Sequence, residues 1–521
     1  MKFIIYIFLL LFPFGVFSQK VTKIELLGAN SLEYDEKLGK GVRRLLGNVR
    51  FKHDDVLMNC DSAYLYSETN SLDAFSNVYI NQGDSVRIYG DKLNYNGNTR
   101  KAVITSNVRL IDNDMTLTSD NLTYDMKKDI GFYTGGGKMV SAKNNNTLTS
   151  DLGYYYAKAK NLFFKDSVVL INPEYEIYSD TLKFHTTSEI AYFLGPTNIY
   201  SKENHIYCEN GWYDTKNDLS QFKKNAFLVS SEQKLQGDSL FYDRKAGIGK
   251  VYHNVLITDT VNKFLINGDY AIHYEHEEKS TITGKPMLTM IFEKDSLFLH
   301  ADTLFAEMDT LGKHRTIHAY HHSKFYKKDM QGLCDSLVYT MGDSTIRLFT
   351  EPVLWSTDNQ MTAEFISIKT AGGKIDYMTM NVDAFIVSQE DTIQYFNQIK
   401  GKNIVADFHE NELYKVKVTG NGETIYFTRE DSGDLFGVNK AISSDLLIFM
   451  KENAIEKISF INKPEATLYP IEDVTAADLE LKDFKWREEQ RPKTKEDIYK
   501  RYETPIIPKA EKNKSKTRKG L

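Results

Sequence analysis

Cysteine is almost missing from this chain of 521 residues: only Cys60, Cys208 and Cys334 occur, each several repeats from the next. At ~4.8 Å per stacked strand they stand far beyond the ~7 Å Cα separation that a disulfide tolerates. No intrachain bridge is expected, and each reads as a small buried residue. Proline is scarce as well, and no Pro-Gly linker divides the chain. After the N-terminal stretch nothing approaches the ~20 apolar residues of a membrane-spanning helix. No segment between residues 40 and 470 sustains a helical hydrophobic period, which excludes a helical repeat protein. Charge of one sign is also lacking: the formal net charge is -6, and a nucleic-acid partner would call for a basic stripe. Phosphate-cradling glycine loops, a Gly-x-Ser-x-Gly elbow and paired zinc-type cysteines are absent, and Gly247-Ile248-Gly249-Lys250 lacks the rest of a P-loop. The densest metal-type set, His314, His318, His321 and His322, has no carboxylate that completes it and reads as surface or turn histidines. No catalytic residue, metal or cofactor is assigned, and the chain does not read as an enzyme.

What the chain does have is one short phrase used thirteen times between Asp61 and Asp445. A small residue, an acidic or polar one, and then an apolar-aromatic pair recur, as in Cys60-Asp61-Ser62-Ala63-Tyr64, Gly90-Asp91-Lys92-Leu93, Ser119-Asp120-Asn121-Leu122, Ser179-Asp180-Thr181-Leu182 and Cys334-Asp335-Ser336-Leu337. The steps are 29 to 33 residues and then lengthen to 38 and 43, the self-similarity of stacked units that bury apolar faces against one another. Inside a unit apolar and polar residues alternate, as in Val108-Arg109-Leu110 and Met115-Thr116-Leu117-Thr118, which is strand periodicity. Leu122 is out of phase with Leu117, so a bend or bulge is expected at Ser119-Asp120-Asn121, with the aspartate bonding its local backbone as a turn residue. A second phrase, Gly47-Asn48-Val49-Arg50-Phe51, Asn77-Val78-Tyr79-Ile80 and Asn107-Val108-Arg109-Leu110, is expected to open the next strand after a tight turn. The fold class is all-β, a repetitive stack of about thirteen units of ~30 residues.

Residues 1–18 combine Lys2, the apolar run Phe3 to Phe17 and Ser18 before Gln19, the pattern of a cleaved export signal. The run is short for a span and no cysteine follows it, so the mature chain is expected in an extracytoplasmic space, neither helically anchored nor N-terminally lipidated. Short units fill 19–355, longer ones 356–470, and 471–521 is a polar, basic tail. From Lys485 to Lys519 it carries thirteen Lys and Arg against six Asp and Glu. It reads as a solvated, partly disordered tail or, alternatively, as a segment drawn to anionic lipid head groups or an acidic partner, with Lys495 to Tyr502 as a short helix between Pro492 and Pro505.

Parity along the strands assigns an inward column. Its members are Val49, Phe51, Met58, Val78, Ile80, Leu93, Val108, Leu110, Met115, Leu117, Leu122, Val168, Leu170, Ile177 and Leu182. If two sheets splay apart, this column lines an apolar groove able to shield acyl chains at ~25 cal/mol per Å². If they close, it is core.

The Gly/Asn-x-Val-x-apolar opening and the Ser/Gly/Cys-Asp-Ser/Thr-Leu-x-Tyr corner resemble the units of the OstA-like (organic solvent tolerance) family. Asn397-Gln398-Ile399-Lys400-Gly401-Lys402 and Val418-Thr419-Gly420-Asn421-Gly422-Glu423-Thr424-Ile425-Tyr426-Phe427 are especially similar, and the resemblance covers roughly residues 22 to 470. It implies an elongated, twisted β-jellyroll, V-shaped with an open groove, that carries lipopolysaccharide through the periplasm from inner to outer membrane without an enzymatic step. The implied partners are the lipid A acyl chains, the inner- and outer-membrane parts of the transport machinery, and further copies of the chain end to end. The chain has more units than the family's short bridge proteins and lacks the ~10-residue membrane-facing strands of an outer-membrane barrel. Two rival readings share the repeats: a closed β-solenoid scaffold or adhesin at the cell surface, and a polysaccharide-active β-helix, for which outward Trp212 and Trp355 lie too far apart to form a platform.

Overall fold

The computed structural model describes residues 22–501, apart from 35–36, 38, 84–85, 113–114, 143–144, 232, 310, 373, 391–394, 411, 431, 452–453 and 476–477. The segment read as an export signal, residues 1–18, and residues 502–521 lie outside the described residues. The chain divides into two compact units, 1–222 and 223–521. Strands follow one another antiparallel throughout, and the described helical turns are short 3-10 segments. No described helix is long and apolar enough to cross a membrane.

In the first unit the strands are 11 or 12 residues long from Val42–His53 to Tyr175–His185, too long to lie flat over one small core. Each is broken near its middle by a shift of register, at Leu46/Val49, Asn59/Ser62, Phe75/Val78 and Tyr89/Lys92, so that its two halves belong to two facing sheets. On every second strand the bend is made by two consecutive residues with positive φ: Gly47 and Asn48, Ser76 and Asn77, Ser106 and Asn107, Gly135 and Gly136, Asp166 and Ser167. Asparagine tolerates this backbone better than most residues. The Asn-Val phrase therefore marks a double left-handed bulge inside a continuous strand, where a tight turn between strands had been expected.

The repeated aspartate has a different job from the one its sequence context suggests. Asn77 Nδ2 donates to Asp61 Oδ2 at 2.7 Å and Asn107 Nδ2 to Asp91 Oδ2 at 2.5 Å, while in the second unit Asn254 Nδ2 reaches Asp238 at 3.0 Å. Each pair lies 16 residues apart and clasps one strand's bulge to the corner of its neighbour. A side-chain clasp, not a local backbone turn, is what recurs. The residue before the aspartate faces inward at this crowded corner and must be small. A Cβ on Gly90 would stand 2.3 Å from Ile104 Cγ2. Cys60, Cys208 and Cys334 hold the same place as free, buried thiols, and burial pushes Cys60 and Cys208 up to about 12.

Tyr133 shows how closely the two sheets approach. Its ring occupies the space where Cβ atoms of Gly137 and Gly153 would lie, at 2.5 and 2.2 Å, and its hydroxyl is bonded to Ser150 Oγ at 2.6 Å. Gly153→Ala is expected to cost about 1–3 kcal/mol through overpacking, read as a lower urea midpoint with an unchanged slope.

The second unit opens on three further strands of 11 or 12 residues, Gln233–Asp243 to Phe264–Tyr274, and strands of 4–7 residues then alternate across the two sheets from Lys279–Thr283 to Phe365–Ala371. The strands Lys374–Gln389, Phe396–His409, Glu412–Arg429 and Leu435–Lys451 then run 14–18 residues. The same corner device persists, with Val382 and Asp383 at positive φ and a Cβ on Gly401 placed 2.2 Å from Val418 Cγ1.

Candidate functional site

Cross-strand register turns the inward positions of the first unit into two continuous files. In one sheet Phe51 pairs with Met58, then Ile80, Ile88, Leu110, Leu117, Met139, Leu148, Leu170 and Ile177 in succession. The facing sheet carries Leu45, Ala63, Ala74, Leu93, Ile104 and Leu122, and further along Phe164, Leu182 and Phe193. Of the positions read from sequence, Val49, Phe51, Met58, Val78, Ile80, Leu93, Val108, Leu110, Leu117, Leu122, Val168, Ile177 and Leu182 are buried on these inner faces. Met115 and Leu170 are half-buried. Thr118 is exposed on the outside, and Lys183 lays its ammonium over the Tyr192 ring at 5.4 Å.

The sheets join at the bulged corners and come together again at the hairpin ends, where the bonding is polar. His53 Nδ1 and Tyr95 Oη are hydrogen-bonded at 2.5 Å, and Gln82 Nε2 donates to Asp129 Oδ1 at 2.8 Å. The Tyr155 hydroxyl donates to Asp112, and Arg100 pairs with Asp54. Burial drives the His53 pKa below its usual value and raises those of Tyr95 and Tyr155, whose phenols stay protonated.

In the second unit one inner file runs Ile266, Leu288, Leu299, Phe325 and another Leu354, Met361, Ile386, Ile399. The opposite sheet supplies Leu304, Ala319, Leu337, Leu348, Ile366, Met380, Ile404 and Val418. Between the hairpin ends of these sheets lies a cavity of about 110 Å³ with walls that include Met290, Leu297, Met330, Tyr339, Ile346 and Ile375.

The outer face of one sheet in this unit is covered, which the sequence did not announce. Residues 471–501, expected as the start of a solvated tail, cross the strands as a strap. Leu481 is buried against Phe385, Val387, Ile425, Phe427 and Val438, with Leu479, Phe484 and Trp486 packed around it. Gln398 reads the strap's backbone twice, its Nε2 donating to Leu479 O at 2.7 Å and its Oε1 accepting from Leu481 N at 2.8 Å. Gln360 repeats the contact with Lys485 O and Arg487 N, both at 2.7 Å. Gln331 accepts from Arg491 Nε at 2.7 Å. Farther on, a 3-10 turn at Lys495–Tyr499, capped by Thr494, stands where a short helix was expected, with Ile498 buried and Tyr499 against His300. Trp355, read as outward, is on the outer face but lies fully buried in this region. Three buried glutamines on a nominally solvent-facing column were the signal available in the sequence.

The histidine set is dispersed. His318 meets Glu307 at 3.2 Å, while His321 and His322, at a positive-φ corner, meet Asp335 at 3.3 Å and Asp302 at 2.9 Å as the asparagines do elsewhere. Among the described residues no group of three His, Cys, Asp or Glu side chains is placed to hold a metal ion.

With the corners and files in view, the comparison with known families is direct. The OstA-like protein family model matches residues 21–180. That segment is OstA-like. It contains the asparagine-aspartate clasps at Asp61 and Asp91 and most of the inner file of the first unit. One solved structure is similar over 21% of this chain and 80% of its own, at 20% identity and a TM-score of 0.19: LptH of Pseudomonas aeruginosa, the LptA-homologous periplasmic component of its lipopolysaccharide transport device. The assignment rests on the family match and not on that superposition. No curated protein matches the chain.

Proposed function

We propose that the chain is a periplasmic lipid-binding bridge of lipopolysaccharide transport, taking acyl chains between its sheets and working with the inner- and outer-membrane parts of that machinery. The observation that carries this reading is the unbroken apolar file from Phe51 to Ile177, lying largely within the OstA-like segment and free of any reactive cluster. A file of this kind discriminates by parity, since neighbouring residues on a strand face opposite sides. Photocrosslinking residues placed in cells at Leu117 and Leu182 are expected to form lipopolysaccharide adducts, and the same residues at Thr118 and Lys183 are not. Silence at all four positions in exported, folded protein would sink the transport reading and favour a closed scaffold.

A further inference from the structure

Alternation along the strands breaks its own rule at one place in the first unit. The inward series Val49, Phe51 ends on His53, the series Val78, Ile80 on Gln82, and Val108, Leu110 on Asp112, one repeat apart each time. A permanently closed core would continue apolar there, because a buried polar group must find a partner or lose its hydration uncompensated. All three find partners on the facing sheet, Tyr95, Asp129 and Tyr155, His53 bonding Thr22 as well, with Arg100 and Asp54 adding an ion pair between the flanking turns. Backbone hydrogen bonds near these ends run along a lip instead of across, as in Gly97 N to Asn70 O, Met126 N to Arg100 O and Ala157 N to Asp129 O. The lips are therefore tied to each other by side chains, while the ladder and the corner clasps hold each sheet together.

Resting on the lipid reading above, we propose that these four pairs are a latch along the mouth of the first unit, which parts about the bulged corners to admit acyl chains and closes behind them. Phe51, Met58, Ile80 and Leu110 lie 5% exposed or less beneath it, so no chain reaches them while it is shut. The paired left-handed residues at each corner concentrate the bend in two positions, which suits a hinge. Closure is imperfect at one rung, since Gln82 Oε1 is buried without a hydrogen-bond partner. Polar pairs suit a reversible seam: on opening each group regains water, whereas an apolar seam would be left exposed.

The test uses the full chain with its three native cysteines replaced by alanine and a photocrosslinking residue at Leu117. Cysteines at His53 and Tyr95 are bridged in the periplasmic fraction by a reducible bis-maleimide, then mixed with lipopolysaccharide. The bridge is expected to lower the adduct at least fivefold, to the level seen with the crosslinker at Thr118, and reduction is expected to restore it. Equal adducts with the bridge intact and cleaved overturn the latch while leaving the lipid reading in place. No adduct in either state overturns both. A gentler pair, Tyr95→Phe with Tyr155→Phe, removes only two hydroxyls and is expected to raise the rate of adduct formation at least threefold. An unchanged rate in folded protein also overturns the proposal.

Discussion

Ending the chain at Pro470 is expected to destabilise the second unit. The truncation uncovers one outer sheet face on which Leu481 and Ile498 are almost fully buried and Trp486, Phe484 and Leu479 are packed. Burying a large apolar side chain contributes about 1.5–3 kcal/mol, so the two full burials alone supply about 3–6 kcal/mol that offsets part of the entropy of ordering the strap. Gln398 and Gln360 would also be left buried without the backbone groups they bond, or newly hydrated beside an exposed apolar strip. Hydrogen exchange read at Ala384 to Val387 and at Gln360 should accelerate strongly in the truncated chain, while exchange in the first unit stays as it was. Gln398→Ala, which spares the apolar contacts, should show a smaller loss of about 1–3 kcal/mol from the two orphaned strap groups. If truncation leaves exchange in the second unit unchanged, the strap is a passive covering and its glutamine contacts are incidental.

Phe164→Ala should cost about 3–5 kcal/mol, and Phe163→Ala less than about 1 kcal/mol, although the two are adjacent and chemically identical. Phe164 is 2% exposed in the inner file between Gly153 and Leu182. Phe163 is half-buried on the outer face, its ring 6.3 Å from Tyr154. Truncating the first opens a cavity between two sheets held apart by other residues, whereas truncating the second removes one cross-strand aromatic contact that water can replace. Urea unfolding of both variants gives the comparison directly. Equal losses would mean that the sheets are not packed face to face in solution, and the parity argument for the inner file would fall with them.

Much of the architecture was legible because it depends on short-range rules. Alternation of Val108, Leu110, Leu117 and Leu122 could be read as strand faces, and the odd spacing between Leu117 and Leu122 demanded a break in register that the structure places between Thr105/Val108 and Ser119/Thr123. The recurrence of that pattern pointed to stacked antiparallel rungs. What the aspartate did was misjudged for a physical reason. Its partner is an asparagine on the neighbouring strand, 16 residues on, and a one-strand reading sees only the backbone beside it. Nothing local singles out the polar residues His53, Gln82 and Asp112, since their partners across the mouth lie more than 40 residues away.

The sequence by itself determined the repeat, the strand faces, the small residue at each corner and the membership of the inner file, because each follows from side-chain parity and local backbone preference over a few residues. Tertiary structure alone decided which polar groups meet across the lips, that a polar segment from 471 to 501 lies docked on a sheet, and that Trp355 is buried on an outward-facing position. Those outcomes depend on contacts between segments 40 to more than 100 residues apart, where the free energy comes from fitting two surfaces together and leaves only a faint trace in either one.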